Sequence, residues 1–437
     1  TLICSTAITH DDNLTNNTIT KLVHVNPWLL KAPIPSDAKN FKVKHGALVY
    51  APDFRRIFAL KGNLNNEFYA YNPDTDQWES LPRLPLYPSN KKPKAGCALT
   101  FGLGRKIFAL KGGGNNRDFY CYDIIDSTWT PLETIYDPAY YTNKKPKDGA
   151  SIAYSEYDGQ IYAILGNNTT VLLAYVPGTP PHGNYWRYIN RIPPQYGDKG
   201  FKHGASIQCV DTIVYIFRGN STRDILRYNI ARQEWLPKLE IPGSRNKIQA
   251  GGTSSYHPYT QSIYFFTGGN KKTLWKLHIP TNSLDSITEI PAGPTNKKIK
   301  SGCAIVACAA NDPLFILKGT NTNEFWGFAF WAPATKLNTN NPKTRESSCE
   351  KSKSPSEVLF KVVNFSNVIY SLPNQAQVNL KLYSPAGQLI KVIRNELQEP
   401  GTYEIALNAL KNLPRGIYIL KAQFNSSIFI RKIILYS

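Results

Sequence analysis

Methionine is absent from the sequence, and the first residue is Thr1. We therefore expect a processed form from which a signal peptide has been removed. Long apolar runs are missing too: none approaches the roughly 18 residues that a membrane-spanning helix needs. Acidic residues are scarce, with 31 Asp and Glu against 51 Lys and Arg and a formal net charge of +20. Such an excess favours anionic partners, whether acidic glycans, nucleic acid or an anionic surface, or else marks a solvated basic surface. It does not bear on fold. No Cys-x-x-Cys, Gly-rich phosphate loop or nucleophile motif occurs. The seven histidines are scattered.

Glycine, by contrast, recurs at a regular interval. Gly46, Gly96, Gly149, Gly204, Gly251 and Gly302 lie 50, 53, 55, 47 and 51 residues apart. A near-constant period of this size marks a repeat architecture. The residues before the glycine recur as well: Asn-Lys-Lys-Pro-Lys-Ala-Gly at 90–96, Asn-Lys-Lys-Pro-Lys-Asp-Gly at 143–149 and Asn-Lys-Lys-Ile-Lys-Ser-Gly at 296–302.

Each period reads as four short strands. The first copy gives Gly46–Tyr50, Ile57–Gly62, Glu67–Tyr71 and Trp78–Pro82, with the turn Asn72-Pro-Asp-Thr-Asp76 before the last. The fourth-strand tryptophan recurs as Trp129, Trp186 and Trp235 and is replaced around Leu284 in the fifth copy. The sixth copy stops after Glu324–Phe330. Its missing fourth strand stands at the N-terminus, with Trp28 in the tryptophan place and Ile34-Pro35 matching Ile290-Pro291. We expect an all-β chain whose residues 22–331 form a six-bladed β-propeller with N-terminal strand closure, which removes a vulnerable sheet edge.

Residues 1–21 read as a polar tail without regular structure and 332–355 as a polar linker. Residues 356–437 carry about seven short strands and read as a C-terminal Ig-like β-sandwich.

The strand-end glycine, the alternating Tyr69/Tyr71 and Tyr120/Tyr122, and the tryptophan seven residues later resemble kelch repeats. The double glycine of that family stands only at Gly112-Gly113 and Gly268-Gly269. The resemblance implies a kelch-like propeller serving as a binding module or scaffold, sometimes as an enzyme. In the last unit, Leu382-Tyr383 with Gly387, Leu413-Pro-Arg-Gly-Ile-Tyr418 and Arg431-Lys-Ile-Ile-Leu435 resemble the sorting domain of the type IX secretion system of Bacteroidetes and related bacteria. That resemblance implies export through the secretion machinery by residues 356–437, followed by attachment at the cell surface or release.

The candidate binding residues stand two and four places before the repeat glycines. They are Lys42, Lys44, Lys92, Lys94, Lys145, Lys147, Lys202, Lys247, Lys298 and Lys300. In an extended segment alternate side chains share a face. The intervening Val43, Pro93, Pro146, Phe201, Ile248 and Ile299 should therefore pack inward while the lysines face out as a collar at the channel mouth. Lys61, Lys111, Arg218 and Lys318 end second strands in the same four copies whose third strands open with Glu67, Asp118, Asp224 and Glu324. We expect ion pairs across these hairpins, leaving the collar lysines unpaired.

Cys97, Cys121, Cys209, Cys303 and Cys308 read as small buried thiols. Cys4 and Cys349 lie outside the repeats and are the candidates for a disulfide in a secreted protein. Asp-Ser or Asp-Thr pairs resemble the O-glycosylation signal of Bacteroidetes and mark Ser127, Thr212 and Ser286. His45 and His203 occupy the same repeat place, too far apart to share a metal, and Asp148 and Asp198 are isolated. We expect no enzyme, no metal and no cofactor. The expected function is that of a secreted, cell-surface-associated binding or scaffold protein, with an anionic surface glycan or cell-envelope component as partner and self-assembly as a close variant. Read across all copies, the lysine motif is a blade-entry element rather than a recruiter of nucleic acid. The alternative is a glycan-acting hydrolase or lyase at the channel mouth.

Overall fold

The structure, a computed structural model, describes residues 2–5, 18–21, 27–36, 42–139, 141–178, 183–309, 312–330, 359–363, 367–384, 388–406, 416–425 and 427–435. It divides into two compact units, Thr1–Leu337 and Asn338–Ser437. The 332–355 stretch read as a linker lies outside the described residues. Within the tail read as irregular, Leu2–Ser5 pairs antiparallel with Thr18–Lys21.

The first unit otherwise contains six four-stranded antiparallel sheets. Sheet 1 comprises Ala47–Ala51, Arg56–Gly62, Asn65–Asn72 and Gln77–Leu81. Sheet 2 comprises Ala98–Gly102, Lys106–Leu110, Phe119–Asp123 and Thr128–Pro131. Sheet 3 comprises Ala150–Tyr154, Ile161–Leu165, Val171–Val176 and Tyr185–Arg191. Sheet 4 comprises Ser206–Val210, Ile213–Phe217, Asp224–Asn229 and Glu234–Glu240. Sheet 5 comprises Thr253–His257, Ser262–Phe266, Thr273–His278 and Ser283–Glu289. Sheet 6 comprises Ala304–Val306, Leu314–Leu317 and Phe325–Phe328, with Trp28–Lys31 as its fourth strand. Trp28 lies opposite Phe328, as Trp78 lies opposite Tyr71 and Trp129 opposite Tyr122.

The second strands are apolar without alternation; every residue of Ile161–Leu165 is buried. A strand covered on both faces needs such a run, and here both faces pack on neighbouring sheets. Six apolar clusters supply the packing, one between each consecutive pair of sheets. The sixth lies between sheet 6 and sheet 1, where Tyr71 meets Phe315 and Phe325. The tryptophans add sheet-to-sheet hydrogen bonds: Trp78 Nε1 donates to the carbonyl of Ala32, Trp129 to that of Pro82 and Trp186 to that of Glu133.

First strands have one unpaired edge within their own sheet. Side chains of the preceding sheet satisfy part of it. Thr100 accepts from the amide of Tyr154, Ser151 from Ile207, Gln208 from Tyr256 and Ser255 from Ala307.

Among the described residues the second unit holds seven strands in two antiparallel sheets. One pairs Leu359–Val363, Asn367–Leu372 and Gly401–Ala406 in that order. The other has the order Leu389–Gln398, Ala376–Tyr383, Gly416–Phe424, Ser427–Leu435. Alternate residues Val378, Leu380 and Leu382 join Val368, Tyr370, Leu420 and Phe424 in one core.

Candidate functional site

The six lysine-bearing loops, four of them Lys-x-Lys, enter the first strands, and backbone hydrogen bonds fix them. The middle residue of each loop accepts from the second-to-third-strand turn of the preceding sheet. Leu64 N–H donates to Pro93, Gly114 to Pro146, Asn168 to Phe201, Ser221 to Ile248, Asn270 to Ile299 and Asn321 to Val43, all at 2.7–2.9 Å. In four of the loops the residue before the middle one is held by the turn of its own sheet. Asn63 donates its side-chain amide to Lys42 O, Asn167 to Lys145 O, Asn220 to Gly200 O, and Thr320 its hydroxyl to Lys298 O. Each loop is thus stapled between two turns.

The middle residues Val43, Pro93, Pro146, Phe201, Ile248 and Ile299 are buried, and all ten candidate lysines are exposed. Among the described residues none of the ten makes an ion pair. The repeat glycine explains how the loops come so close. A Cβ on Gly251, which has φ +93°, would lie 1.7 Å from the Lys300 carbonyl oxygen.

Where the first strands begin, a cavity of about 140 Å³ opens between all six sheets. Small side chains line it, including Ser151, Ser206, Ser254 and Ser301, with Gln208. Its titratable members are His45 and Asp148, together with the Cys97 and Cys303 thiols. Burial lowers the His45 pKa, Asp148 opposes that and Lys44 reinforces it. His45 therefore feels an aspartate two sheets away. The ten lysines stand just outside this cavity rather than in its wall. Their segment crosses from one sheet to the next before the chain turns inward at the glycine.

The hairpin ion pairs are present in all four copies. Lys61–Glu67 measures 3.2 Å, Lys111–Asp118 2.6 Å, Arg218–Asp224 2.9 Å and Lys318–Glu324 3.0 Å. The four cations are buried. Each also reaches the segment that leaves the preceding sheet: Lys61 donates to Ser36 Oγ, Lys111 to Leu86 O, Arg218 to Tyr196 O and Lys318 to Pro291 O. These ties were not legible in sequence, although the shared spacing from cation to acid exposed the pairs themselves. At Glu324 burial works against ionisation, but hydrogen bonds from Thr295, Trp326 and Lys318 win and lower its pKa.

Cys97, Cys121, Cys303 and Cys308 are buried and Cys209 nearly so, and all five are free thiols. Burial pushes the Cys97 thiol up to about 12 and Cys121 to about 11. Cys349 and the side chain of Cys4 lie outside the described residues. Ser127 and Ser286 are exposed and Thr212 is half-buried. Among the described residues no three His, Cys, Asp or Glu side chains gather as a metal-holding group.

Residues 362–436 match the family of the secretion system C-terminal sorting domain. The match indicates secretion and cell-surface attachment and implies contact with the secretion machinery. Among the described residues no helix is long and apolar enough to cross a membrane. No curated protein matches the sequence. Among solved structures the chain is similar to YjhT at 12% identity and TM-score 0.48, over 68% of this chain and 94% of that one. It is similar to an auxiliary nutrient binding protein from Bacteroides thetaiotaomicron VPI-5482 at 12% identity and TM-score 0.45, over 65% of this chain and 68% of that one. It is also similar to a fungal alcohol oxidase of the AA5 family in complex with copper, at 10% identity and TM-score 0.46, over 94% and 99%.

Proposed function

We propose that this chain is a secreted, surface-associated, non-catalytic binding or scaffold protein. In this reading residues 22–331 are a six-bladed kelch-like propeller closed by the N-terminal strand, and residues 356–437 are an Ig-like sorting and attachment domain. The propeller holds an anionic glycan or cell-envelope component at its lysine loops. The observation that carries the reading is the fixed array of exposed, unpaired lysines, two from most loops, each loop stapled by hydrogen bonds to its neighbours. The backbone that carries the lysines is already fixed, so binding has only their side chains to order. Exposed charges have high-dielectric surroundings, so the binding weakens as salt rises.

The test replaces Lys92, Lys145 and Lys298 together by Ala and measures binding to an acidic-glycan array against salt. The expected result is weaker binding and a shallower salt slope. Unchanged affinity and slope would remove the lysine loops from the function.

A further inference from the structure

Charge on the first unit is segregated by strand end. In an up-and-down sheet, the turn between strands two and three lies at the same end as the loop entering strand one. The other two turns lie at the opposite end. The first end comprises loops 42–46, 88–96, 143–149, 197–204, 243–251 and 293–302, with turns 63–66, 112–117, 167–170, 220–223, 269–272 and 320–323. Together these segments hold nineteen lysines and arginines against two aspartates, Asp148 and Asp198, and the described remainder of the same connectors adds Arg83, Glu133 and Asp137. The opposite turns are 52–55, 73–76, 103–105, 124–127, 155–160, 211–212, 230–233, 258–261 and 279–282, with Asp312 in the corresponding turn of sheet 6. They hold eight acids against three arginines. All three arginines are paired, Arg105 with Asp53, Arg55 with Asp74 and Arg232 with Glu234.

The basic end has a consistent chemistry beyond charge. Its turns present Asn115 and Asn270 at the surface, while Asn63, Asn167 and Asn220 hold the loops. Phe201 is buried, while Tyr87, Tyr136 and Tyr141 in the same connectors are exposed. Side-chain amides and ammonium groups complement hydroxyls and carboxylates. Lys271 is already crowded: burial, and then the charge of Lys247, lowers its pKa.

We propose that the basic end is a docking surface for a linear acidic polysaccharide that lies across several sheets at once. The proposal rests on the anion-binding reading above and adds the partner's class and length. A single exposed lysine contact is worth about 0–1 kcal/mol, so no one loop retains a small anion. A chain meeting the same loop on successive sheets gains by effective concentration.

The experiment uses the full chain, with immobilised polygalacturonate as probe, trigalacturonate, inorganic phosphate and single-stranded DNA as competitors, and neutral dextran as control. The clustered variant Lys144→Ala/Lys145→Ala/Lys147→Ala is compared with the distributed variant Lys92→Ala/Lys145→Ala/Lys298→Ala, after matching thermal midpoints show that both fold. Polygalacturonate is expected to bind and dextran not to. Trigalacturonate and phosphate should compete at least 100-fold more weakly. Both variants should lose affinity about tenfold and flatten the salt slope similarly. Trigalacturonate competing as well as polymer, or the clustered variant alone abolishing binding, would overturn the polymer surface and leave anion binding intact. DNA outcompeting polygalacturonate would overturn the partner class. Failure of every acidic probe would overturn both this proposal and the reading it rests on.

Discussion

The backbone amide of Asn321 donates to the carbonyl of Val43 at 2.8 Å. This bond makes the last repeat a neighbour of the first on the same terms as every other pair. The N-terminal strand completes the relationship, since Trp28 packs on Phe328 with ring centroids 5.0 Å apart. Trp28→Ala should therefore destabilise the first unit by about 3–5 kcal/mol, the usual cost of emptying a buried aromatic site. Deleting residues 1–36 should expose the edge of Phe325–Phe328 and promote association through it. Urea unfolding followed by fluorescence checks the first and light scattering the second. A truncated protein that stays monomeric with an unchanged midpoint would show that sheet 6 does not need this strand.

The buried ion pairs give a second expectation. Lys111 donates to Asp118 and to Leu86 O, while Asp118 also accepts from Ser89 and Tyr120. Lys111→Met leaves a buried carboxylate with no cation, for which about 3–5 kcal/mol is typical. Adding Asp118→Leu should recover most of the loss, because two apolar groups of similar volume replace the pair. A double-mutant cycle in urea reads the coupling. Additive losses would mean that the pair is not a unit.

What could be read from sequence followed from periodicity within one repeat. Val43, Pro93 and Ile299 are buried between exposed lysines because an extended segment alternates faces. Lys61 meets Glu67 because both places are filled together in four copies. What could not be read depends on repeats meeting in space. The bond from Asn321 to Val43 joins two backbone groups, which leave no side-chain signature. The influence of Asp148 on His45 joins repeats one and three, so an isolated aspartate in sequence is not isolated in the cavity. One signal was present: Thr100, Ser151, Gln208 and Ser255 put polar groups in the first strands, where they bond the next sheet.

Glycine supplies a matched pair of substitutions. Gly159 has φ +70° and open space around its missing Cβ, so Gly159→Ala should cost about 1–2 kcal/mol for the left-handed backbone alone. At Gly251, with φ +93°, the same methyl would fall 1.7 Å from the Lys300 carbonyl oxygen. Overpacking adds to the backbone cost there, for a total of about 3 kcal/mol or more. Thermal midpoints of the two variants make the comparison. Equal losses would mean that the loops can part without penalty.

The last expectation concerns acid. His257 is buried against Phe330, Tyr259 and Tyr264, and its Nδ1 accepts from the amide of Thr260. Its Nε2 has no hydrogen-bond partner among the described residues. Burial lowers its pKa to about 4 from an ordinary 6.5. Between these values the unfolded chain binds a proton that the folded chain refuses, so stability must fall as pH drops from about 6.5 towards 4. The loss approaches about 3 kcal/mol at the lower limit, at 1.36 kcal/mol per pKa unit. Glu324, whose pKa is also lowered, contributes stability above its unfolded value and loses it as pH falls through the lower folded one. Its effect therefore begins only below about 4.5. Urea midpoints at about pH 7.0, 5.5, 4.5 and 3.5 separate the two, and His257→Gln should flatten the upper part of the profile while leaving the lower part. A variant whose midpoint still falls between pH 6.5 and 5 by as much as that of the parent would place the titrating group elsewhere.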